Sequence, residues 1–291
     1  MADLIPVLLD TDIGSDIDDA VALAYLLRQP RCELLGITTV TGEVEERAAC
    51  AEVICRAAGH TDIPIHCGAV RPLLIGPGQP HVPQYQAIRK RLHQTSWPAN
   101  TAVEFLRQTI RKRPGQITLL TIGPFTNAAL LFALDPEIPG MLKQLVSMGG
   151  CFFHNRREWN ALVDPIATAM VYAARPPLHS SLGLDVTLQC QMTAEEVRNR
   201  FHSPPLDVVA EMAQVWFSQT EKLTFHDPLA AATIFHPELC DYVTGQVAVA
   251  IDDEAGLAGL TQFTETPAGP HRIARTVHAA AFFTELFTVL A

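Results

Sequence analysis

The sequence lacks the features that would place the protein in a membrane or on a nucleic acid. No apolar run reaches about 18 residues, the length that a transmembrane helix needs. The N-terminus shows no charged-then-apolar signal pattern. The 21 lysines and arginines are scattered, and the formal net charge is -10, which disfavours nucleic acid and anionic membrane surfaces as partners. We therefore expect a cytoplasmic protein without such partners.

Paired cysteines, linkers and repeats are missing as well. The seven cysteines are odd in number and include no C-x-x-C pair. This favours reduced, mostly buried thiols over a disulfide framework or a zinc site. The cysteines are Cys32, Cys50, Cys55, Cys67, Cys151, Cys190 and Cys240. No low-complexity linker or internal repeat divides the 291 residues, so we predict a single domain over residues 1–291.

What the sequence does contain is a regular alternation of strand-like and helix-like segments. Apolar runs that read as buried strands are followed by stretches of helical periodicity, which predicts an α/β fold with a mostly parallel central sheet flanked by helices. These runs cover residues 4–9, 32–40, 116–123, 142–150 and 177–186. Near the C-terminus, residues 242–252 and 256–265 read as a small antiparallel addition, and residues 278–290 as a closing helix.

The proline- and glycine-rich segment 71–98 is the least regular part of the chain. Long loops in compact domains often cover or bind ligands. We therefore predict that this segment is a surface loop that acts as an active-site lid.

Acidic side chains cluster where the predicted strands end. The stretch "DTDIGSDIDDA" (residues 10–20) carries five aspartates directly after an apolar strand. Parallel sheets bind ligands at the carboxyl ends of their strands, and like charges held close together need compensation. Asp10, at the strand end itself, is interpreted as support for the site, and Asp16 has no assigned role.

Three kinds of site could use this stretch. An EF-hand is rejected because Ser15 stands where the loop needs glycine, Val21 where it needs glutamate, and the flank is a strand. A phosphatase of the haloacid-dehalogenase type also ends its first strand in Asp-x-Asp, but it leaves Asp18 and Asp19 unexplained. A calcium site is favoured, because hard cations take several oxygen ligands, while the phosphatase and a helix start with solvated acids stay as alternatives.

Two further patches lie downstream, "FHDPLAA" around His226 and Asp227 and "EWNALVDP" from Glu158. Taken in order with "LLGITTVTGE", "PLLIG", "LLTIGPFTNAAL" and "VSMGG", these segments resemble the inosine-uridine nucleoside hydrolase family. The "DTDIGSDIDDA" stretch resembles the family signature with two extra residues. The resemblance implies hydrolysis of the N-glycosidic bond of ribonucleosides by a calcium-dependent α/β enzyme, which is usually a homodimer or homotetramer.

The resemblance also implies a role for several residues. Calcium would be held by the carboxylates of Asp12, Asp19 and Asp227 and by the backbone carbonyl of Ile122, with Asp12 also serving as general base. His226 would protonate or hydrogen-bond the departing base, since an unperturbed histidine titrates near about 6.5. The nucleoside would be held by Asp18, Met148, Glu158 and Asn160 at the ribose, with Glu43, His81 and Asn155 as further contacts.

The chain departs from the family pattern at some of these positions. Glu43 replaces an amide, the lid carries "PHVPQYQ" around His81, and the loop that holds Asn155 is short. His278, in an unusual closing segment, could be a core or a site residue. Two interpretations therefore stay open: an active hydrolase of unspecified base preference, or a protein that binds nucleosides or ribose without turnover.

Overall fold

The computed structural model describes residues 4–253 and 256–291. The strands are β1 (Ile5–Thr11), β2 (Cys32–Thr39), β3 (Ile65–Cys67), β4 (Thr118–Thr121), β5 (Gln144–Met148), β6 (His179–Leu182), β7 (Gln191–Thr193), β8 (Lys222–Thr224), β9 (Cys240–Val249), β10 (Thr261–Glu265) and β11 (His271–Val277). The helices are α1 (Asp18–Arg28), α2 (Val44–Ala57), α3 (Tyr85–Ile88), α4 (Ala102–Lys112), α5 (Thr126–Leu134), α6 (Ile138–Met141), α7 (Trp159–Val163), α8 (Pro165–Ala173), α9 (Leu184–Thr187), α10 (Ala194–Arg198), α11 (Leu206–Trp216), α12 (His226–Phe235) and α13 (Ala279–Leu290).

One large sheet organises the described part of the chain. Its strand order is β10-β9-β11-β6-β5-β4-β1-β2-β3, and every pairing from β11 to β3 is parallel. The predicted α/β class, with a mostly parallel sheet flanked by helices, is confirmed. Because β1 lies in the middle and is buried along almost its whole length, the aspartates that follow it lie at the centre of the carboxyl edge.

The antiparallel addition is also confirmed, although its attachment was not predicted. β9 pairs antiparallel with β10, but β9 joins the sheet through β11, which runs parallel to β6. The sequence "HRIARTV" of β11 gave no strand signal because it mixes charged and apolar residues. The closing helix α13 lies where residues 278–290 predicted it.

Segment 71–98 is more ordered than the predicted surface loop. It contains the short helix α3 and buries the side chains of Val82, Gln84, Ile88 and Trp97. The sequence did not predict these buried side chains, because the many prolines and glycines of the segment are typical of an irregular loop. Its role as a lid remains a prediction. Among the described residues, no helix combines the length and the apolar character needed to cross a bilayer.

A buried histidine in β6 should make the free energy of unfolding depend on pH. His179 is fully buried and stacks on Tyr172; burial, with a smaller contribution from His271, lowers its pKa to about 3. The folded chain therefore keeps this ring neutral, whereas the unfolded chain protonates it near pH 6.5. The stability that His179 contributes is present at neutral pH and falls as the pH drops from about 6.5 towards 3.

Between pH 7.5 and 5.5, we expect the free energy of unfolding to fall by about 1.4 kcal/mol more in the wild type than in His179→Gln. Urea unfolding at the two pH values measures this difference. The exposed His202 supplies the control His202→Gln, which should keep the wild-type dependence. Equal losses in wild type and His179→Gln would contradict the assignment.

Candidate active site

A cavity of about 300 Å³ opens at the carboxyl edge of the sheet, beside the ends of β1, β4 and β5. Its lining residues are Asp12, Asp16, Asp18, Asp19, Gln79, Ile122, Met148, Arg156, Arg157, Glu158, Trp159, Asn160, Leu162, Leu184, His226 and Asp227. The chain can converge closely here because Gly123 has no side chain: an added Cβ would lie 2.8 Å from the Asp12 backbone nitrogen. The cavity thus unites segments that are far apart in the sequence.

Three buried carboxylates meet in this cavity. Oxygens of Asp18, Asp19 and Asp227 lie within 4.8 Å of one another, and the backbone N–H of Asp227 donates to Asp18 Oδ2 at 3.0 Å. Asp18 and Asp19 begin α1 and Asp227 lies in the first turn of α12, so the packing of α1 against α12 brings them together. Asp12 is buried and lines the same cavity, but it is not one of these three.

The electrostatics of the trio are unfavourable without a cation. Burial, followed by repulsion from neighbouring aspartates, raises the pKa of Asp18, Asp19 and Asp227 well above the usual range. Burial also raises the pKa of Asp12, against the opposing charge of Arg47. Removing carboxylates from water and holding them together is costly unless a metal or a partner compensates.

The donor set fits a hard divalent cation. All the converging side-chain donors are carboxylate oxygens, and such oxygens are the ligands that Ca²⁺ and Mg²⁺ prefer. The carbonyl of Ile122, also at the cavity wall, accepts a hydrogen bond from Asn160 Nδ2 at 2.8 Å. The residues therefore suit a hard divalent metal ion, and both calcium and magnesium fit this donor chemistry.

Asp10 is buried at the end of β1 but is not one of the residues that line the cavity. One of its oxygens accepts from Thr38 Oγ1 and from Asn127 Nδ2, the latter at 2.7 Å. Its Oδ2 has no hydrogen-bond partner among the described residues, and burial raises its pKa to about 7. That Asp10 supports the site remains a prediction.

The other wall of the cavity is organised by Glu158 at the start of α7. Its carboxylate accepts from the backbone N–H groups of Gly150, Asn160 and Ala161, at 2.7–2.9 Å. Asn160 is held through its Nδ2, which contacts the carbonyl oxygens of Ile122 and Met148. The N-terminal turn of a short helix therefore fixes both polar side chains beside the cavity.

His226 lies at the cavity with its Nδ1 2.6 Å from the hydroxyl of Thr187. Burial, with the positive charge of Arg156, lowers its pKa to about 4. The unperturbed titration near pH 6.5 that the sequence suggested therefore does not apply here. At pH 7 this imidazole is neutral and offers a hydrogen bond rather than a stored proton.

Three predicted contact residues are not brought into the cavity. Glu43 is exposed at the start of α2, as a helix-start acid facing solvent. His81 is exposed, and only its backbone carbonyl reaches the aspartate loop, at Ser15. Asn155 is exposed on the short loop after β5. His278 lies in a different groove, 3.5 Å from Asp241.

Sequence reasoning missed Arg47, which is fully buried. Its guanidinium donates to the backbone carbonyls of Asp12, Ile13, Thr41 and Gln79. It therefore ties the aspartate loop to segment 71–98, whose Gln79 is also hydrogen-bonded to the indole N–H of Trp159. The available signal was an arginine on the buried face of α2, between Val44 and Ala48.

Replacing Arg47 should destabilise the fold strongly. Arg47→Leu leaves several buried carbonyls without a donor and removes the positive charge beside Asp12, which we expect to cost about 3–5 kcal/mol. The matched control is Arg113→Leu at the end of α4, which breaks a solvent-accessible ion pair with Glu33 and should cost no more than about 1 kcal/mol. Urea unfolding measures both, and similar losses in the two variants would be evidence against this role.

A parallel sheet whose carboxyl edge gathers buried carboxylates into one cavity defines an α/β enzyme with an acidic, metal-type site. The chain belongs to the inosine-uridine preferring nucleoside hydrolase family, whose family model matches residues 7–284. It is accordingly a nucleoside hydrolase acting on ribonucleosides. The haloacid-dehalogenase alternative is therefore wrong.

Curated relatives agree with this membership. The pyrimidine-specific ribonucleoside hydrolase RihA of Escherichia coli is 31% identical over 274 residues, which cover 84% of each chain. Uridine nucleosidase 1 of Arabidopsis thaliana is 28% identical over 264 residues, covering 83% of this chain and 77% of its own. The solved plant nucleoside hydrolase PpNRh1 superposes with a TM-score of 0.87 over 98% of both chains at 23% identity, which shows the shared fold.

Proposed function

We propose that the protein hydrolyses the N-glycosidic bond of ribonucleosides with the help of a calcium ion, and so acts in nucleoside salvage and catabolism. The observation that supports this most strongly is the convergence of Asp18, Asp19 and Asp227 in a cavity that Asp12 also lines. Asp12, Asp19, Asp227 and the carbonyl of Ile122 would hold the ion. When bound, calcium would neutralise the clustered charge and orient the sugar hydroxyls.

The residues of the chain divide the chemistry between them. Asp12 accepts a proton from the attacking water, whose oxygen forms a bond to the anomeric carbon as the bond from that carbon to the base breaks. The departing base takes the electron pair of that bond. Positive charge builds on the sugar ring as this bond weakens, and the surrounding carboxylates stabilise it.

The leaving base meets the other end of the cavity. The neutral ring of His226 donates a hydrogen bond to this base. The positive charge of Arg156, which helps to lower the pKa of His226, favours the negative charge that develops on the base. The base finally takes its proton from solvent. His226 is therefore proposed as a donor that stabilises the leaving group.

The ribose occupies the floor between the two walls. Asp18 would hold a ribose hydroxyl through the oxygen that Asp227 does not occupy, and Glu158 with Asn160 would hold the 5′-hydroxyl above Met148. Because Gln79 lines the cavity, segment 71–98 is proposed to cover the bound nucleoside. Relatives named for uridine and for pyrimidine nucleosides make uridine and cytidine the substrates to test first.

Product analysis in phosphate-free buffer tests this proposal. Hydrolysis requires free base and ribose in equal amounts, with water as the only co-substrate. A protein that binds without turnover would retain the nucleoside unchanged, and uridine recovered intact after saturating binding would favour that alternative. The substitution at Glu43 was one reason to consider binding without turnover. Because Glu43 lies outside the cavity, it no longer supports that alternative. The homodimer or homotetramer that the family suggests is tested by light scattering of the purified protein.

A further inference from the structure

A second cluster of metal-ligating side chains lies outside the aspartate site, in the loop that follows β5. Cys151 and His154 lie three residues apart in this loop, and Asp185 lies in the first turn of α9. One sulfur, one ring nitrogen and one carboxylate oxygen from these residues lie within 4.8 Å of one another. The fold thus brings three different donor types together from segments 34 residues apart.

The distances in this cluster resemble those of a tetrahedral site. Cys151 Sγ lies 3.4 Å from Asp185 Oδ1, and His154 Nδ1 lies 2.9 Å from the same oxygen. Ligands at about 2.0–2.3 Å from a tetrahedral zinc ion lie about 3.3–3.5 Å from one another. The distance from the sulfur to the carboxylate oxygen falls in this range, and the His154 side chain, which is 74% exposed, has room to shift by about 0.5 Å.

We propose that Cys151, His154 and Asp185 form a binding site for Zn²⁺ or a similarly borderline-soft divalent cation. Thiolate and imidazole donors favour such an ion over calcium or magnesium. Binding replaces the proton of the Cys151 thiol, which leaves to solvent, with a metal–sulfur bond. Three protein ligands leave a fourth position for water on the exposed side of His154.

The surrounding backbone already holds the carboxylate in place. The N–H of Phe152 donates to Asp185 Oδ2 at 2.7 Å, and that of Phe153 donates to Oδ1 at 3.1 Å. The Asp185 side chain is 2% exposed. Partners of this kind orient metal ligands and support their affinity. A single cysteine with a distant aspartate escapes the search for C-x-x-C pairs, which is why the sequence gave no zinc signal.

The site adjoins the active-site cavity. The loop that contains Cys151 and His154 continues directly into Arg156 and Arg157, which line the cavity. A metal held by Cys151 and Asp185 would fix the position of this loop. None of its three ligands takes part in the proposed hydrolysis, so metal binding here can be tested separately.

Cobalt is the most informative probe because thiolate coordination to Co²⁺ gives a charge-transfer band in the near ultraviolet, which carboxylates do not give. Chelator-treated full-length protein is titrated with Co²⁺. We expect a band that rises with added Co²⁺ to a plateau and disappears when Zn²⁺ is added. Cys151→Ser should abolish the band, whereas Cys32→Ser, a cysteine outside the cluster, should keep it.

Two further variants keep the test decisive. His154→Gln changes an exposed side chain and should fold normally while weakening Co²⁺ binding by about 100-fold or more, the upper end of the cost of losing an outer partner. Asp19→Asn disables the aspartate site and should leave the band intact, which separates this proposal from the proposed function. No band in the wild type, the same band in Cys151→Ser, or unchanged affinity in His154→Gln would overturn the proposal.

Discussion

Asp12→Asn is expected to reduce kcat/KM for ribonucleoside hydrolysis by about 10²–10⁴-fold, the range associated with loss of a general base. The change preserves size but removes the carboxylate that lines the cavity beside Asp19 and Asp227. It also removes one proposed calcium ligand, so the upper end of that range is expected. The measurement is the initial rate of ribose release from uridine or inosine at saturating calcium.

The control is Asp62→Asn, the same substitution at an exposed aspartate. It should retain wild-type kcat/KM. Because Asp12 is buried, the fold of both variants is checked by thermal unfolding before the rates are compared. An Asp12→Asn protein that is folded and within about threefold of wild type would remove Asp12 from the proposed chemistry.

Calcium is expected to raise the thermal stability of the wild-type protein by a large amount. At a calcium concentration 100 times its Kd, binding to the folded state alone contributes about 2.7 kcal/mol. For a domain of this size class, that corresponds to a rise in Tm of about 5–10 °C. The physical reason is that the carboxylates of the aspartate trio lie within 4.8 Å of one another and repel one another. A bound cation would neutralise this repulsion in the folded state. Differential scanning calorimetry with calcium and with chelator measures the shift.

Asp19→Asn supplies the matched comparison. It removes one charge from the trio, so the chelated variant should unfold at the same temperature as the chelated wild type or higher. Added calcium should raise its Tm by less than about half the wild-type shift. A wild-type Tm that calcium leaves unchanged, or an equal shift in Asp19→Asn, would be incompatible with a cation held by Asp19 and its neighbouring carboxylates.

Much of the architecture could be predicted because it depends on local patterns. The apolar strands around Asp10 and Ile122 and the helical stretch that begins at Asp18 are readable from periodicity alone. The family resemblance then implied that Asp227, more than two hundred residues from Asp19, belongs beside it. Oxygens of these two aspartates do lie within 4.8 Å of each other, and the backbone N–H of Asp227 also donates to the Asp18 carboxylate.

What could not be predicted depends on packing that no local pattern records. The role of Arg47 follows from four carbonyls contributed by three separate segments. The pKa of His226 is lowered by burial and by Arg156, and neither effect is visible in "FHDPLAA". The resemblance implied substrate contacts for Glu43 and His81, yet both residues are exposed. The resemblance implied Asp12, Asp19 and Asp227 as ligands. The three carboxylates with oxygens within 4.8 Å of one another are instead those of Asp18, Asp19 and Asp227.

The most direct test of a calcium-dependent ribonucleoside hydrolase is the release of ribose from uridine by chelator-treated enzyme before and after calcium is added. We predict no measurable ribose under chelation and rapid formation of ribose and uracil in equal amounts once calcium is restored. Inosine, cytidine, adenosine and guanosine are run in parallel to allow for base preference. Folded protein that releases no ribose from any of the five nucleosides in calcium, or that turns over equally fast under chelation, would contradict this function.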